Sequence, residues 1–116
     1  SMLLGKGDNT RLSAVDYKSR FVETKLAHQL IDVRSPDEFA EGHIAGALNF
    51  PLPDLDQQLG KIKRDQPVML YCRSGNRSGM ALQKLRSAGY TDLYNLGGIG
   101  ELTAQGLPLK QRKAAR

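Results

Sequence analysis

The sequence predicts an α/β domain: a largely parallel sheet covered by helices on both faces. Two observations carry this. Strand-length apolar runs at residues 29–33, 68–71 and 93–96 alternate with segments of helical spacing, the order that βαβ units produce. The runs are also apolar on both faces rather than alternating, which suits strands buried from both sides.

The first 12 residues are polar and glycine-bearing, with a short strand expected near Arg11 and Leu12. Ser13, with Asp16 three residues on, starts a helix, because its hydroxyl can accept from an orphan amide of the first turn. Val15, Phe21 and Val22 give that helix its apolar side. Gln29-Leu30-Ile31-Asp32-Val33 is the next strand. It ends at Ser35-Pro36-Asp37-Glu38, where Ser35 caps a helix, Pro36 takes the first helical position and Glu38 reaches back from the third. Gly42 keeps the helix short.

Residues 44–50 read as a turn into a brief strand closed by Pro51 and Pro53, and Leu55, Leu59 and Ile62 share one helical face. Pro67 opens the strand Val68-Met69-Leu70-Tyr71, and Cys72-Arg73-Ser74-Gly75-Asn76-Arg77-Ser78 follows at once. A helix is predicted from Ser78 to Ala88, with Leu82, Leu85 and Ala88 on one stripe and Gly89 as its stop. Leu93-Tyr94-Asn95-Leu96 is the last strand of the sheet. Gly97-Gly98, a short helix at 101–105 and the stop Gly106-Leu107-Pro108 complete the order.

A chain of 116 residues and 12.8 kDa is one domain, large enough to bury a core without staples. Its single cysteine excludes an internal disulfide, and with only His28 and His43 beside it no cysteine-rich zinc site and no metal are expected. The net charge of +5 is local: Lys110, Arg112, Lys113 and Arg116 supply four charges, and without them 13 basic residues face 12 acidic ones. A short basic tail is a solvated segment, so no nucleic-acid partner is expected. No run approaches the roughly 18 apolar residues of a membrane span, so no membrane partner is expected either. Ser1 before Met2 resembles a cloning scar. The expected organisation is an N-terminal extension at 1–11, one domain at 12–110 and a basic tail at 111–116.

Ligands of open α/β sheets collect beyond the carboxyl ends of the strands, and Cys72 is placed there, between an apolar strand and a helix start. Gly75 and its small polar neighbours let the loop curl so that several N–H groups point inward. The helix after the loop directs its positive end at the same spot, and Arg73 and Arg77 add positive charge. All three favour a thiolate, the reactive form of cysteine.

Here the sequence resembles a known family, the single-domain rhodaneses (thiosulfate sulfurtransferases). Leu30-Ile31-Asp32-Val33-Arg34, Glu38-Phe39, Glu41-Gly42-His43-Ile44, Gly46-Ala47 and Asn49 carry the resemblance. So do the loop 72–78, Leu96-Gly97-Gly98 and Gly106-Leu107-Pro108, in the expected order across about residues 12–110. The resemblance implies a three-layer domain with a five-stranded, mostly parallel sheet, and Cys72 as the nucleophile that carries sulfur as a persulfide, with no other cofactor. Arg73, Ser74, Gly75, Asn76, Arg77 and Ser78 would surround that sulfur, and Asp32 and Arg34 would support the loop from behind. Such domains commonly carry a Trp after the paired glycines, where this chain has Gly100-Glu101-Leu102.

Related phosphatases place five residues between cysteine and arginine; here four separate Cys72 from Arg77, and Tyr71 stands where they usually have histidine. The tighter ring suits a sulfane sulfur. The expected activity moves sulfur from thiosulfate or another small sulfur-containing anion to cyanide, a thiol or a protein persulfide acceptor. A non-catalytic interaction module, a protein persulfide relay and a cysteine phosphatase are the alternatives. A monomer is expected, cytoplasmic, or periplasmic if a leader has been removed. His43 is expected to be structural, His28 exposed and Tyr71 in the core.

Overall fold

The computed structural model describes residues 10–112. Its elements in chain order are α1 (Ala14–Tyr17, continued by a wider π turn, Lys18–Val22), β1 (Gln29–Asp32), α2 (Pro36–Glu41), β2 (His43–Ile44) and β3 (Leu48–Asn49). Then come α3 (Leu55–Gln58, flanked by 3-10 turns), β4 (Val68–Cys72), α4 (Asn76–Ser87), β5 (Leu93–Gly98), α5 (Ile99–Ala104) and β6 (Leu109–Lys110). Four parallel strands form the sheet in the order β3-β1-β4-β5, and β2 pairs with β6 in a separate antiparallel ribbon. The strand expected near Arg11 is a single parallel bridge to Asn95. It adds a one-residue partner beside the outer edge of β5, so four full strands plus this bridge stand where five were expected.

Strand β4 shows why the apolar runs do not alternate. Val68, Leu70 and Cys72 pack with Ile31, Val33, Leu55, Ala81, Leu82 and Leu85 on the α3–α4 face. Met69 and Tyr71 pack with Tyr17, Phe21, Phe39, Ile44 and Leu102 on the other. All five β4 residues are buried, as a central strand between two helical layers requires. Each fully buried leucine contributes about 2 kcal/mol by leaving water. Leu102, in the segment where such domains commonly carry a Trp, is fully buried.

The capping box of α2 is complete: Ser35 Oγ accepts from Glu38 N, and Glu38 Oε1 accepts from Ser35 N. Ser13 caps α1 by accepting from Asp16 N. Val15 is not on the buried side of α1, being 55% exposed. Ala14 and Tyr17 face the core instead, and the widened π turn brings Phe21 in behind them. Helix α4 begins at Asn76, two residues before the sequence-based start, because Gly75, at φ +99°, turns the chain into it. Ala81, Leu82 and Leu85 form its buried stripe, and Ala88 is half-buried.

Tyr71 is buried, and its hydroxyl accepts from Ile44 N. His43 is structural: its ring stacks on Phe39 and its Nδ1 meets Phe39 O at 2.8 Å. His28 is half-buried rather than exposed. Its Nδ1 lies 2.7 Å from Leu26 O, so that nitrogen carries the proton, and Nε2 accepts from the Tyr17 hydroxyl at 2.7 Å. Burial pushes the Tyr17 phenol up to about 12, which keeps it a donor.

Candidate active site

Cys72 is the last residue of β4, and the loop it opens curls back over its sulfur. Gly75 N donates to Sγ at 3.0 Å, Ser78 N at 3.4 Å and Ser78 Oγ at 3.4 Å. The amides therefore turn inward. Burial pushes the Cys72 thiol up, but the hydroxyl and amide of Ser78 and the amides of Ser74 and Gly75 outweigh it, and the thiol lies below its ordinary value. The sulfur sits at the floor of this ring, and Cys72 as a residue is 1% exposed.

Two glycines permit the curl. Gly75 adopts a left-handed conformation, and a Cβ there would also press on the Gly97 backbone at 3.3 Å. At Gly98 a Cβ would stand 2.5 Å from Arg73 O, closer than packing allows. The end of β5 thus lies directly against the loop, which is the physical content of the Gly97-Gly98 pair.

The loop side chains divide. Arg73, Ser74 and Asn76 are exposed, and Ser78 is fully buried. The Arg77 guanidinium, expected to add positive charge at the sulfur, lies close enough to interact with Cys72, but its hydrogen bonds go to Glu38: Nη1 and Nη2 donate to Oε1 and Oε2 at 2.7 and 3.0 Å. Arg77 holds the Glu38 carboxyl well below the usual range, at about 2. The lowered thiol therefore owes more to hydrogen-bond donors than to the arginines. Arg73, with no hydrogen-bonded partner for its side chain among the described residues, is the loop arginine open to solvent.

Asp32 and Arg34 form a buried pair behind the loop. Arg34 Nε donates to both Asp32 oxygens and Nη2 to Oδ2 at 2.7 Å, while Arg34 N donates to Oδ1. Arg34 Nη2 also donates to Gly42 O, and Asn49 Nδ2 donates to Asp32 O and Arg34 O. None of these bonds reaches the 73–78 amides. The pair acts through α2, whose far end it ties to β1 and whose Glu38 grips Arg77.

Sequence reading missed Asn95 and Glu38 as parts of this site. Asn95 Oδ1 accepts from Ser78 Oγ and Gly97 N, and Nδ2 donates to Gly75 O. Glu38 had been assigned only its capping role. A groove of about 450 Å³ between Tyr17, Phe21, His28, Leu107 and Pro108 contains neither Cys72 nor any of the loop residues.

A parallel sheet whose inner strand delivers a cysteine into inward-facing amides defines a class: α/β proteins built around a hydrogen-bonded cysteine at a strand–helix junction. Within that class the chain belongs to the rhodanese-like domain family, whose family model matches residues 13–105. It is 56% identical over 70 residues to uncharacterized protein YqhL of Bacillus subtilis, covering 60% of this chain but only 56% of that relative. It is 41% identical to a sulfurtransferase of Allochromatium vinosum, over 69% of this chain and 76% of the other. It is also 35% identical to thiosulfate sulfurtransferase PspE of Escherichia coli, over 66% and 75% of the two chains. The solution structure of the rhodanese-like domain of Anabaena protein Alr3790 superposes with a TM-score of 0.81 at 27% identity, covering 93% of this chain and 86% of that one.

Proposed function

We propose that the chain is a sulfurtransferase that carries sulfane sulfur as a Cys72 persulfide, with thiosulfate as a donor. The observation that carries the reading is the convergence of Gly75 N, Ser78 N and Ser78 Oγ on one sulfur atom. The sulfurtransferase relatives support it.

The Cys72 thiolate attacks the outer sulfur of thiosulfate. The new S–S bond forms as the thiosulfate S–S bond breaks, and sulfite leaves with the electron pair. The terminal sulfur of the persulfide then bears the negative charge, and the loop donors lower its energy as an oxyanion hole does for oxygen. Arg73 draws in the dianion from solvent. An acceptor, cyanide or a thiolate, attacks the terminal sulfur and regenerates the Cys72 thiolate. The two half-reactions share no ternary complex, so ping-pong kinetics follow. No general base is needed once Cys72 is a thiolate, the form the loop donors favour, and no cofactor beyond the cysteine takes part.

The test is intact mass after incubation with thiosulfate. The reading expects a gain of one sulfur atom, reversed by cyanide with release of thiocyanate. An unshifted mass with a fully titratable thiol would leave a binding module on this fold instead. A persulfide that forms slowly from thiosulfate and rapidly from a persulfidated protein would identify a relay.

A further inference from the structure

Asn95 belongs to none of the motifs from which the site was read, yet its amide touches the sulfur ring at both ends. Oδ1 accepts from Ser78 Oγ at 2.8 Å and from Gly97 N at 2.9 Å, and Nδ2 donates to Gly75 O at 3.2 Å. Only the nitrogen end can serve a carbonyl, so these partners fix which way the amide faces. The strand explains the placement. The β4–β5 register shifts between Leu70 and Tyr71, so that Tyr71 pairs with Gly97 and Leu96 is passed over. Such a bulge bends a strand and re-aims its side chains. Gly79, in the first turn of α4, lies beside the amide: a Cβ there would make ordinary contact with Asn95 Nδ2 at 3.5 Å. The Asn95 backbone is pinned as well, its N–H donating to Thr10 O at 2.8 Å and its carbonyl accepting from Leu12 N at 3.1 Å.

Two consequences reach the sulfur. Ser78 has one hydroxyl proton and two acceptors in range, Asn95 Oδ1 at 2.8 Å and Cys72 Sγ at 3.4 Å. When the sulfur is neutral the amide oxygen is the better acceptor; when it is anionic its charge competes for the proton. Gly75 is held on both sides: its N–H donates to the sulfur, and its carbonyl accepts from Asn95 Nδ2 and from Gly79 N. The planar 75–76 peptide then turns the Asn76 N–H away from Asn95.

We propose that Asn95 is a positioning residue that sets the Ser78 hydroxyl and the Gly75 peptide around the Cys72 sulfur, and so tunes how readily that sulfur takes negative charge. The proposal rests on Cys72 being the reacting group, but its test requires no sulfur donor. Because the chain has one cysteine, the pH dependence of alkylation by iodoacetamide reports on Cys72 alone. Asn95→Asp keeps the size, removes the donor to Gly75 and offers Ser78 a stronger acceptor. It is expected to raise the alkylation midpoint by about one pH unit, a tenfold loss of thiolate below the midpoint. In a Ser78→Ala background the same substitution should move the midpoint less than half as far. An equal shift in both backgrounds would reduce Asn95 to a through-space charge effect and overturn the proposal.

The wild-type protein supplies a second readout that no misfolded variant can obscure. The Asn95 side-chain amide resonances should titrate with the midpoint of Cys72 alkylation, and the titration should vanish in Cys72→Ser. Resonances that stay flat through that midpoint would overturn the proposal. Persulfide formation from thiosulfate is scored separately: its absence beside titrating Asn95 resonances would refute thiosulfate as the donor and leave the positioning role standing.

Discussion

Glu38 grips Arg77 with both carboxylate oxygens, at 2.7 and 3.0 Å, across 39 positions of sequence. Because Glu38 also completes the α2 capping box, the start of α2 and the first turn of α4 form one hydrogen-bonded unit. The arginine of the loop thereby acts first as a strut.

That strut has a pH signature. The Glu38 carboxyl titrates at about 2 against an ordinary 4.5, so it contributes stability above pH 4.5 that is lost as pH falls toward 2. Both side chains are about a third exposed, so solvent screens the pair and Glu38→Gln should cost only about 1 kcal/mol at pH 7. Urea unfolding at pH 7 and at low pH checks this: the gap between wild type and variant should close on acidification.

The two loop arginines should separate in kinetics. Arg73 faces solvent and Arg77 is committed to Glu38, so Arg73→Ala should raise KM for thiosulfate roughly tenfold, the loss of one charge-assisted contact. Arg77→Ala should act mainly on stability, by about 1 kcal/mol. Steady-state kinetics beside thermal melts would show it; a larger KM effect at Arg77 would return that guanidinium to the anion.

Cys72→Ser should abolish persulfide formation and change stability by less than about 1 kcal/mol, since the same amides can donate to a hydroxyl oxygen. Intact mass after thiosulfate and a thermal melt are the measurements.

Two glycines two residues apart should respond oppositely. Gly98→Ala would put a Cβ 2.5 Å from Arg73 O, and should cost roughly 2–3 kcal/mol while distorting the loop. Gly100→Ala meets nothing within 4 Å and sits in α5, so it should stabilise by up to about 1 kcal/mol. Chemical denaturation of both variants tests the contrast.

Arg34→Ala would strand the fully buried Asp32 carboxylate, and should cost about 3–5 kcal/mol. Asp32 and Arg34 replaced together by apolar residues of similar size should recover much of that loss.

What was legible in the sequence was what short-range rules govern. Ser35, Pro36 and Glu38 announce a helix start within four residues, and the doubly apolar β4 run announces a central strand. Cys72 and Gly75 announce a curled loop because a left-handed residue after a strand allows few alternatives. Long-range pairings left no such mark. Nothing near Arg77 in sequence points to Glu38, and a lone Asn95 in a strand reads as an ordinary polar residue until the bulge aims it beneath α4. His28 looked exposed because its partner, Tyr17, lies 11 residues away on α1. Val15 was placed on the wrong side of its helix because the π turn alters the periodicity on which that reading relied.

The sulfur of Cys72 is at once a reactive centre and a piece of the core, packed with Leu70, Ala81 and Leu82. A hydrocarbon-lined seat leaves it one direction of travel, outward through its collar of donors. A second sulfur bonded to it would extend about 2 Å along that direction, so visiting molecules would meet the cargo before the carrier. On the sulfurtransferase reading, the hydrocarbon wall behind the carrier would leave the transferred atom as the first point of encounter for any acceptor.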